Sequence, residues 1–399
     1  MGTSNNAKLI NWIKETVTNE YADDISIVAL YGSYINGTAN PKSDIDCYFI
    51  PKTERAYQFA ADFILCGIGY DIFPISWERA GNIADLKEVL LPLIGDVEIL
   101  YYNTEEDLAR FKALQSKLKS NLASRKITTS IAAEKITDAW QVYHHMLSDG
   151  NFSSIRKNAG YLIMTLADAV AIYNHTYYHY GLKKQFADLQ DMSGLPEQIC
   201  DEYLRVIQSN ITSDILLHCH AMLSAVCDYI NLPIPTEQTA DAHKGESECE
   251  NGNDHETEAR TENENAAVTD SANREAPTEQ PPQADYKSLA ALYEEICSTF
   301  NKIYICRDHG DYVLAYLSAT CLQYDLDYAH EQLGAKQYDL FRQFCYNDLA
   351  GFCNDVKAIE NDLVDSIISG GGVIKRYDSF EEFTRAAKKK NSGNSLAEG

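Results

Sequence analysis

YGSYINGTANPKSDIDCYFI, residues 31–50, contains the most informative spacing in the chain. The run Ile27–Tyr31 that leads into it is apolar and rich in residues that favour strands, and it stops at Gly32-Ser33. A second apolar, β-like run, Cys47–Ile50, closes the stretch. This pattern predicts a strand, a tight turn, a short helical segment, a loop and a second strand.

Two acids and one turn in this stretch have the chemistry of a binding site. Asp44 and Asp46 are separated by one apolar residue, and residues two apart on a strand face the same way, roughly 6.5 Å apart. Both carboxylates can therefore share divalent cations, while Ile45 points toward the core. Gly32 has no Cβ, so a phosphate can approach the backbone, and the Ser33 hydroxyl and the N–H groups of the turn can hold it. Transfer from a nucleoside triphosphate requires both kinds of binding.

A Gly-Ser turn, a ten-residue gap and Asp-Ile-Asp between two strands resemble the signature of the DNA polymerase β-type nucleotidyltransferase superfamily. The resemblance is closest to its minimal and antibiotic-modifying (aminoglycoside-like) bacterial branches, and it covers about the first 120 residues. In that family two aspartates hold two metal ions, and a third carboxylate comes from a neighbouring strand. Gly69–Ile75, GYDIFPI, matches the third position with Asp71.

The resemblance implies a nucleotidyltransferase that uses two Mg²⁺ ions and ATP or another nucleoside triphosphate. It would transfer a nucleoside monophosphate, AMP in the case of ATP, to a hydroxyl of a small molecule such as an aminoglycoside-like antibiotic. In such a site Asp44 and Asp46 hold the ion on the triphosphate, and Asp46 and Asp71 hold the ion on the acceptor side. Gly32 and Ser33 cradle the outer phosphates.

The catalytic base is defined less sharply. Aminoglycoside-modifying relatives have a Glu early in the helical part that serves as base, and Glu134, 88 residues after Asp46, is the candidate here. No motif selects it, and a glutamate on a helix surface is the competing interpretation. Two other functions stay open: nucleotidylation (AMPylation) of a partner protein in an antitoxin-like role, and a catalytically idle nucleotide-binding or scaffolding module. The presence of all three candidate metal ligands argues against the idle module.

The chain of 399 residues carries a formal net charge of −25. This acidity argues against nucleic-acid binding, which needs a basic surface, and is compatible with a cationic acceptor as well as with simple solubility. The 11 cysteines include no C-x-x-C pair, which indicates free thiols in a reducing cytoplasm. Neither a signal peptide nor an apolar run long enough to span a bilayer is evident. We therefore expect a cytoplasmic protein without membrane or nucleic-acid partners.

Periodicity and composition predict an α+β protein: a small mixed sheet with flanking helices, followed by an all-α bundle. Residues 1–125 form the predicted nucleotidyltransferase domain. Residues 126–234 and 286–390 form the two parts of one helical domain, and 391–399 a flexible tail. Between those parts, 235–285 is rich in Glu, Asn, Thr, Gln and Pro, so we expect a disordered acidic insertion.

The sequence also supports three local predictions, two about helix caps and one about a pair of histidines. Thr53 is expected to cap a helix that runs through Ala61 to about Cys66, and Thr104 a helix with Asp107 at its third position. His175 and His179 have the spacing of metal ligands on one helix. They lack the Glu of an H-E-x-x-H motif and stand among tyrosines, which favours ordinary packing.

Overall fold

A mixed sheet organises the first part of the protein. The computed structural model describes residues 2–39, 42–235 and 282–394. Nearly all of the insertion predicted to be disordered, and the end of the predicted tail, lie outside these described residues. Within them, no helix combines the length and the apolar character that crossing a membrane requires.

The sheet has six strands. They are β1 (Ile25–Tyr31), β2 (Asp46–Pro51), β3 (Ala61–Leu65), β4 (Ile68–Pro74), β5 (Glu98–Tyr102) and β6 (Arg376–Tyr377). Their order across the sheet is β5-β1-β2-β4-β3-β6. β1 pairs antiparallel with β2 and β5, and β3 pairs antiparallel with β4. β2 and β4 are parallel neighbours, as are β3 and β6, so the sheet is mixed as predicted.

Helices cover both faces of the sheet. The elements are α1 (Gly2–Glu20), α2 (Gly32–Ile35), α3 (Trp77–Ala84), α4 (Pro92–Gly95) and α5 (Glu105–Ala123). Side chains alternate along a strand, so Cys47 and Phe49 pack on the side of α1, and Tyr48 and Ile50 on the side of α3 to α5. The cap of α5 is confirmed, because the Thr104 hydroxyl accepts a hydrogen bond from the Asp107 N–H at 3.0 Å.

The helix predicted from Thr53 to Cys66 is wrong. Only a short 3₁₀ helix forms, over Glu54–Phe59, and the chain then enters β3. Cys66 and Gly67 both have positive φ, 54° and 78°, which suits a two-residue hairpin turn that matches the twist of the flanking strands. The turn allows β3 to pair with β4, and this pairing outweighs the local helix signal.

The rest of the chain is mainly helical. The helices are α6 (Arg125–Ser148), α7 (Phe152–Tyr173), α8 (Gln185–Gln190), α9 (Glu197–Gln208), α10 (Thr212–Ile230), α11 (Tyr286–His309), α12 (Tyr312–Leu333), α13 (Leu349–Ser369) and α14 (Phe380–Asn394). Helix α7 is buried along most of its length and lies at the centre of the bundle. The predicted α+β class, a mixed sheet followed by a helical region, is confirmed.

The C-terminal end of the chain returns to the sheet instead of staying with the bundle. Strand β6 pairs with β3 at the edge, and Phe383 of α14 stacks on Phe63 with ring centroids 4.4 Å apart. Phe383 also contacts Trp12 of α1. Residues 376–390, which we assigned to the helical part, therefore pack on the sheet, and α14 extends four residues into the predicted tail. Only contacts between distant segments could reveal this.

We expect Phe383→Ala to lower the free energy of unfolding by about 3 kcal/mol, because the change leaves a cavity among four aromatic rings, those of Trp12, Phe63, Tyr377 and Phe380. Urea denaturation followed by circular dichroism measures the loss. Phe380→Ala is the matched control, since Phe380 is only partly buried on the same helix. Equal losses in the two variants would mean that α14 is not anchored through Phe383.

Candidate active site

Three neighbouring strands place their acids in one row. Asp46 of β2 pairs in register with Asp71 of β4, and Asp71 pairs with Asp62 of β3. Paired residues of neighbouring strands project from the same face. The sequence motifs identified Asp46 and Asp71 but missed Asp62, because the hairpin that aligns it was predicted as helix.

Helix α11 packs closely over this row. An ideal Cβ on Gly69 would lie 3.0 Å from the carbonyl oxygen of Glu294, so a larger residue at this position would push the helix away from β4. Asn301, about two turns further along α11, donates to the Gly67 carbonyl oxygen at 3.0 Å. The helical part is thereby held against the strands that carry the acids.

Asp71 has an environment that disfavours its charge. Burial is the main reason why its pKa is raised well above the usual value, and the negative charges of Asp62, Glu295 and Asp46 raise it further. Its Oδ1 atom is buried and has no hydrogen-bond partner in the protein. A bound cation would reverse both effects, because it would pair with the unpartnered oxygen and favour the ionised form.

Gly32 lies against the carboxylate of Asp46, a contact that the sequence did not suggest. It adopts a φ of +74°, and a Cβ there would overlap with Oδ2 of Asp46. The absence of a side chain therefore makes room for the carboxylate of Asp46 beside the turn. Ser33 follows as a buried residue, 7% exposed, and its Oγ has no hydrogen-bond partner in the protein. A buried hydroxyl of this kind is suited to bind an oxygen of a ligand.

A cleft opens between the end of the sheet and the helical bundle. Gly32, Ser33, Asp44 and Asp46 line it on the sheet side. The helical side contributes Lys135 of α6, Met164 and Asp168 of α7, Lys302 of α11 and Asp325 of α12. Asp71 does not line the cleft. In the described part of the chain, no three His, Cys, Asp or Glu side chains converge as a ready metal site.

Glu134, the candidate base, is not in the cleft. It is exposed on α6, whereas its neighbour Lys135 lines the cleft. Successive residues on a helix are about 100° apart around the axis, so a shift of one position decides which side chain faces the site. The sequence alone did not define how α6 is rotated about its axis.

Asp168 is the carboxyl that faces the cleft from the helical side. Burial raises its pKa to about 6, although Lys135 and a hydrogen bond from Gln185 act in the opposite direction. Gln185 Nε2 donates to Asp168 Oδ1 at 3.4 Å, and the Tyr203 hydroxyl in turn donates to the Gln185 amide oxygen at 3.0 Å. The sequence contains one indication that Asp168 is functional, because it is the lone acid in the apolar run Tyr161–Tyr173. A cleft carboxyl with a perturbed pKa is typical of a functional site.

The two histidines do not share a helix. Helix α7 ends at Tyr173, and His175 has a positive φ of 64°. His175 Nδ1 hydrogen-bonds to the Leu122 carbonyl oxygen, and His179 Nδ1 to Asp96 Oδ2 at 2.7 Å. The histidines therefore point to separate partners on the sheet side.

Residues 10–126 match the family model of the nucleotidyltransferase domain. These residues form a nucleotidyltransferase domain. The matched range includes Gly32, Ser33, Asp44, Asp46 and Asp71, and a domain of this family implies nucleotidyl transfer from a nucleoside triphosphate.

Comparison with whole proteins adds little beyond the domain. No curated protein matches the chain. Among solved structures, a nucleotidyltransferase-like protein from Exiguobacterium sibiricum is 10% identical, with 55% of this chain and 74% of that chain covered and a TM-score of 0.34. A likeness this distant carries no argument about the acceptor.

We expect Gly32→Ala to weaken Mg–ATP binding at least about 10-fold more than Gly37→Ala. Both glycines have φ near +75°, so alanine suffers the same backbone strain of about 1 kcal/mol at either position. A Cβ at Gly37 meets nothing within 4 Å, whereas at Gly32 it displaces the Asp46 carboxylate. Isothermal titration calorimetry gives the two dissociation constants. Equal weakening would show that strain, not the contact with Asp46, is responsible.

Proposed function

We propose that the nucleotidyltransferase domain transfers AMP from ATP to a hydroxyl of a small molecule, in a reaction that depends on Mg²⁺ and releases pyrophosphate. The observation that carries the proposal is one cleft in which Asp44 and Asp46 face Asp168. The first two suit the triphosphate side of the reaction, and the third suits the acceptor side.

The residues present fit magnesium. Mg²⁺ prefers oxygen ligands and is bound through one or two carboxylates together with phosphate oxygens. Asp44 and Asp46 would hold the ion on the triphosphate, and Asp71, with its unpartnered Oδ1, would join Asp46 at a second ion. Such ions neutralise phosphate charge and lower the pKa of a bound hydroxyl. The buried Ser33 hydroxyl would donate to a phosphate oxygen.

Asp168 would take the role that we had assigned to Glu134. In its ionised form the carboxylate accepts the proton of the acceptor hydroxyl. The hydroxyl oxygen forms a bond to the α-phosphorus, and the bond from that phosphorus to the pyrophosphate oxygen breaks. Gln185 would orient the carboxylate through its amide N–H, so the base is held by a second residue before the acceptor binds.

The acceptor side of the cleft carries both signs of charge, because Lys135, Lys183 and Lys302 line it together with acids, and a cationic group of the acceptor would bind at the acids. Asp168 and Asp325 supply negative charge, and Tyr177, Tyr178 and Tyr180 line the same side. Carboxylates and tyrosine rings both attract ammonium groups. The segment that bears these tyrosines covers part of the cleft, which favours a small molecule over the side chain of a partner protein.

The proposed function is tested by pyrophosphate release from each of the four NTPs with a panel of aminoglycosides and lincosamides. Asp46→Asn should reduce the rate at least about 10²-fold, the scale of losing one key electrostatic group. Asp23→Asn is the control, since Asp23 is an exposed acid of the same domain. Normal turnover by folded Asp46→Asn protein would refute the metal assignment. If the mass increase were found only on a partner protein, the acceptor would be a protein and not a small molecule.

The pH profile tests Asp168 separately. Its pKa is raised to about 6, and only the ionised form accepts a proton, so kcat should fall as the pH drops through about 6. Asp168→Asn should lower kcat by about 10²- to 10⁴-fold, the range for loss of general base catalysis. Glu134→Gln should leave both kcat and the profile unchanged, because Glu134 is exposed outside the cleft. The reverse pattern in these two variants would restore Glu134 as the base.

A further inference from the structure

Residues 174–184, named here the strap, connect α7 to α8 along the cleft. Seven consecutive residues of the strap, 177–183, line the cleft. Near its two ends, His175 and Gly181 have positive φ, 64° and 55°, a conformation that reverses the chain direction sharply. The strap is therefore a defined wall of the site and not a connection that runs elsewhere.

Alternate residues of the strap contact opposite halves of the protein. The Tyr178 hydroxyl donates to the carbonyl oxygen of Ala167 on α7 at 3.0 Å. Tyr177 and His179 point the other way, toward the nucleotidyltransferase domain, and their rings lie 4.2 Å apart between centroids. The strap thus bridges the two walls of the cleft.

Tyr177 and His179 both approach the carboxylate of Asp96 in the nucleotidyltransferase domain. Asp96 follows directly after α4, and its Oδ2 lies 2.7 Å from His179 Nδ1. The Tyr177 hydroxyl lies near the same carboxylate: burial raises the pKa of Tyr177, and the negative charge of Asp96 raises it further. Gly95 leaves room for this contact, because a Cβ there would overlap with the Tyr177 hydroxyl oxygen. Asp96 itself does not line the cleft, whereas Tyr177 and His179 do.

We propose that Asp96 is a positioning residue that latches the strap over the acceptor side of the cleft through Tyr177 and His179. The latch deepens the proposed function and rests on it, since it determines how tightly the acceptor is enclosed. Asp96 acts through the strap and touches neither the reacting atoms nor the triphosphate side. Its loss should therefore affect acceptor binding and leave nucleotide binding intact.

The charge of His179 makes the latch sensitive to pH. The hydrogen bond to Asp96 raises the pKa of His179, burial opposes this, and the charges of Asp96 and of Asp188 on α8 raise it further. The other charged groups that line the same cleft are Asp44, Asp46, Glu88, Lys135, Asp168, Lys183, Lys302 and Asp325. The ion pair is complete below the pKa of His179 in the folded protein and is lost as the pH rises through it. The acceptor KM should then increase, at a pH above the fall in kcat set by Asp168.

Three variants test the latch. Asp96→Asn removes the charge, Tyr177→Phe removes the hydroxyl near Asp96, and His179→Asn keeps a donor near Nδ1 without titrating. Asp188→Asn is the matched control, because Asp188 acts on His179 from a distance and lies outside the cleft lining. We expect Asp96→Asn to raise the acceptor KM about 5- to 10-fold, the value of a charge-assisted hydrogen bond at a partly exposed site. The dissociation constant of Mg–ATP should change less than about 2-fold, within ordinary surface effects.

Two readouts do not need an acceptor. Hydrogen exchange of the strap amides in the nucleotide-free protein should accelerate by about the same 5- to 10-fold in Asp96→Asn, and stay unchanged in Asp188→Asn. In an NMR titration, Asp96→Asn should lower the pKa of His179. Unchanged strap exchange in both Asp96→Asn and Tyr177→Phe would overturn the latch. If no acceptor is found in any screen, the proposed function fails, while hydrogen exchange still decides whether the latch exists.

Discussion

Repulsion between carboxylates that are brought together by strand pairing is the constraint on which this site depends. The register of β2, β4 and β3 places Asp46, Asp71 and Asp62 side by side, and α11 covers them. Buried like charges are costly unless a cation is bound or a proton is shared. This row of acids is therefore a site that favours cations.

How much of this was visible in the sequence depends on the range of the contacts involved. The strand-turn-strand around Gly32 and the cap at Thr104 are decided by neighbouring residues, and both were predicted. The hairpin at Cys66-Gly67 was missed, because β3 depends on its pairing with β4 and the residues of β3 alone do not indicate it. Glu134 was selected as the base because related enzymes have a Glu early in the helical part, yet the rotation of two long helices around the cleft decides which acid lines it. Helix rotations of this kind result from packing between helices, so a single sequence does not reveal them.

In the proposed reaction, the two halves of the protein divide the chemistry. The nucleotidyltransferase domain offers a turn and acids that are set by its own strands. The helical bundle supplies Asp168, Gln185 and the strap, all positioned by α7 and the residues that follow it. A change of acceptor can therefore arise by substitution in the bundle without disturbing the triphosphate side, which is how one domain serves different transferases.

The return of the C-terminal segment has a consequence for synthesis of the protein. Strand β3 would be the edge of the sheet without β6, which comes more than 300 residues later. On the ribosome, the domain is translated first but must wait for nearly the whole chain before its edge is covered. An uncovered edge can pair with another chain. Nascent chains that stall before residue 376 should thus be a source of aggregation, and a chaperone that shields β3 would act on the first domain late in translation.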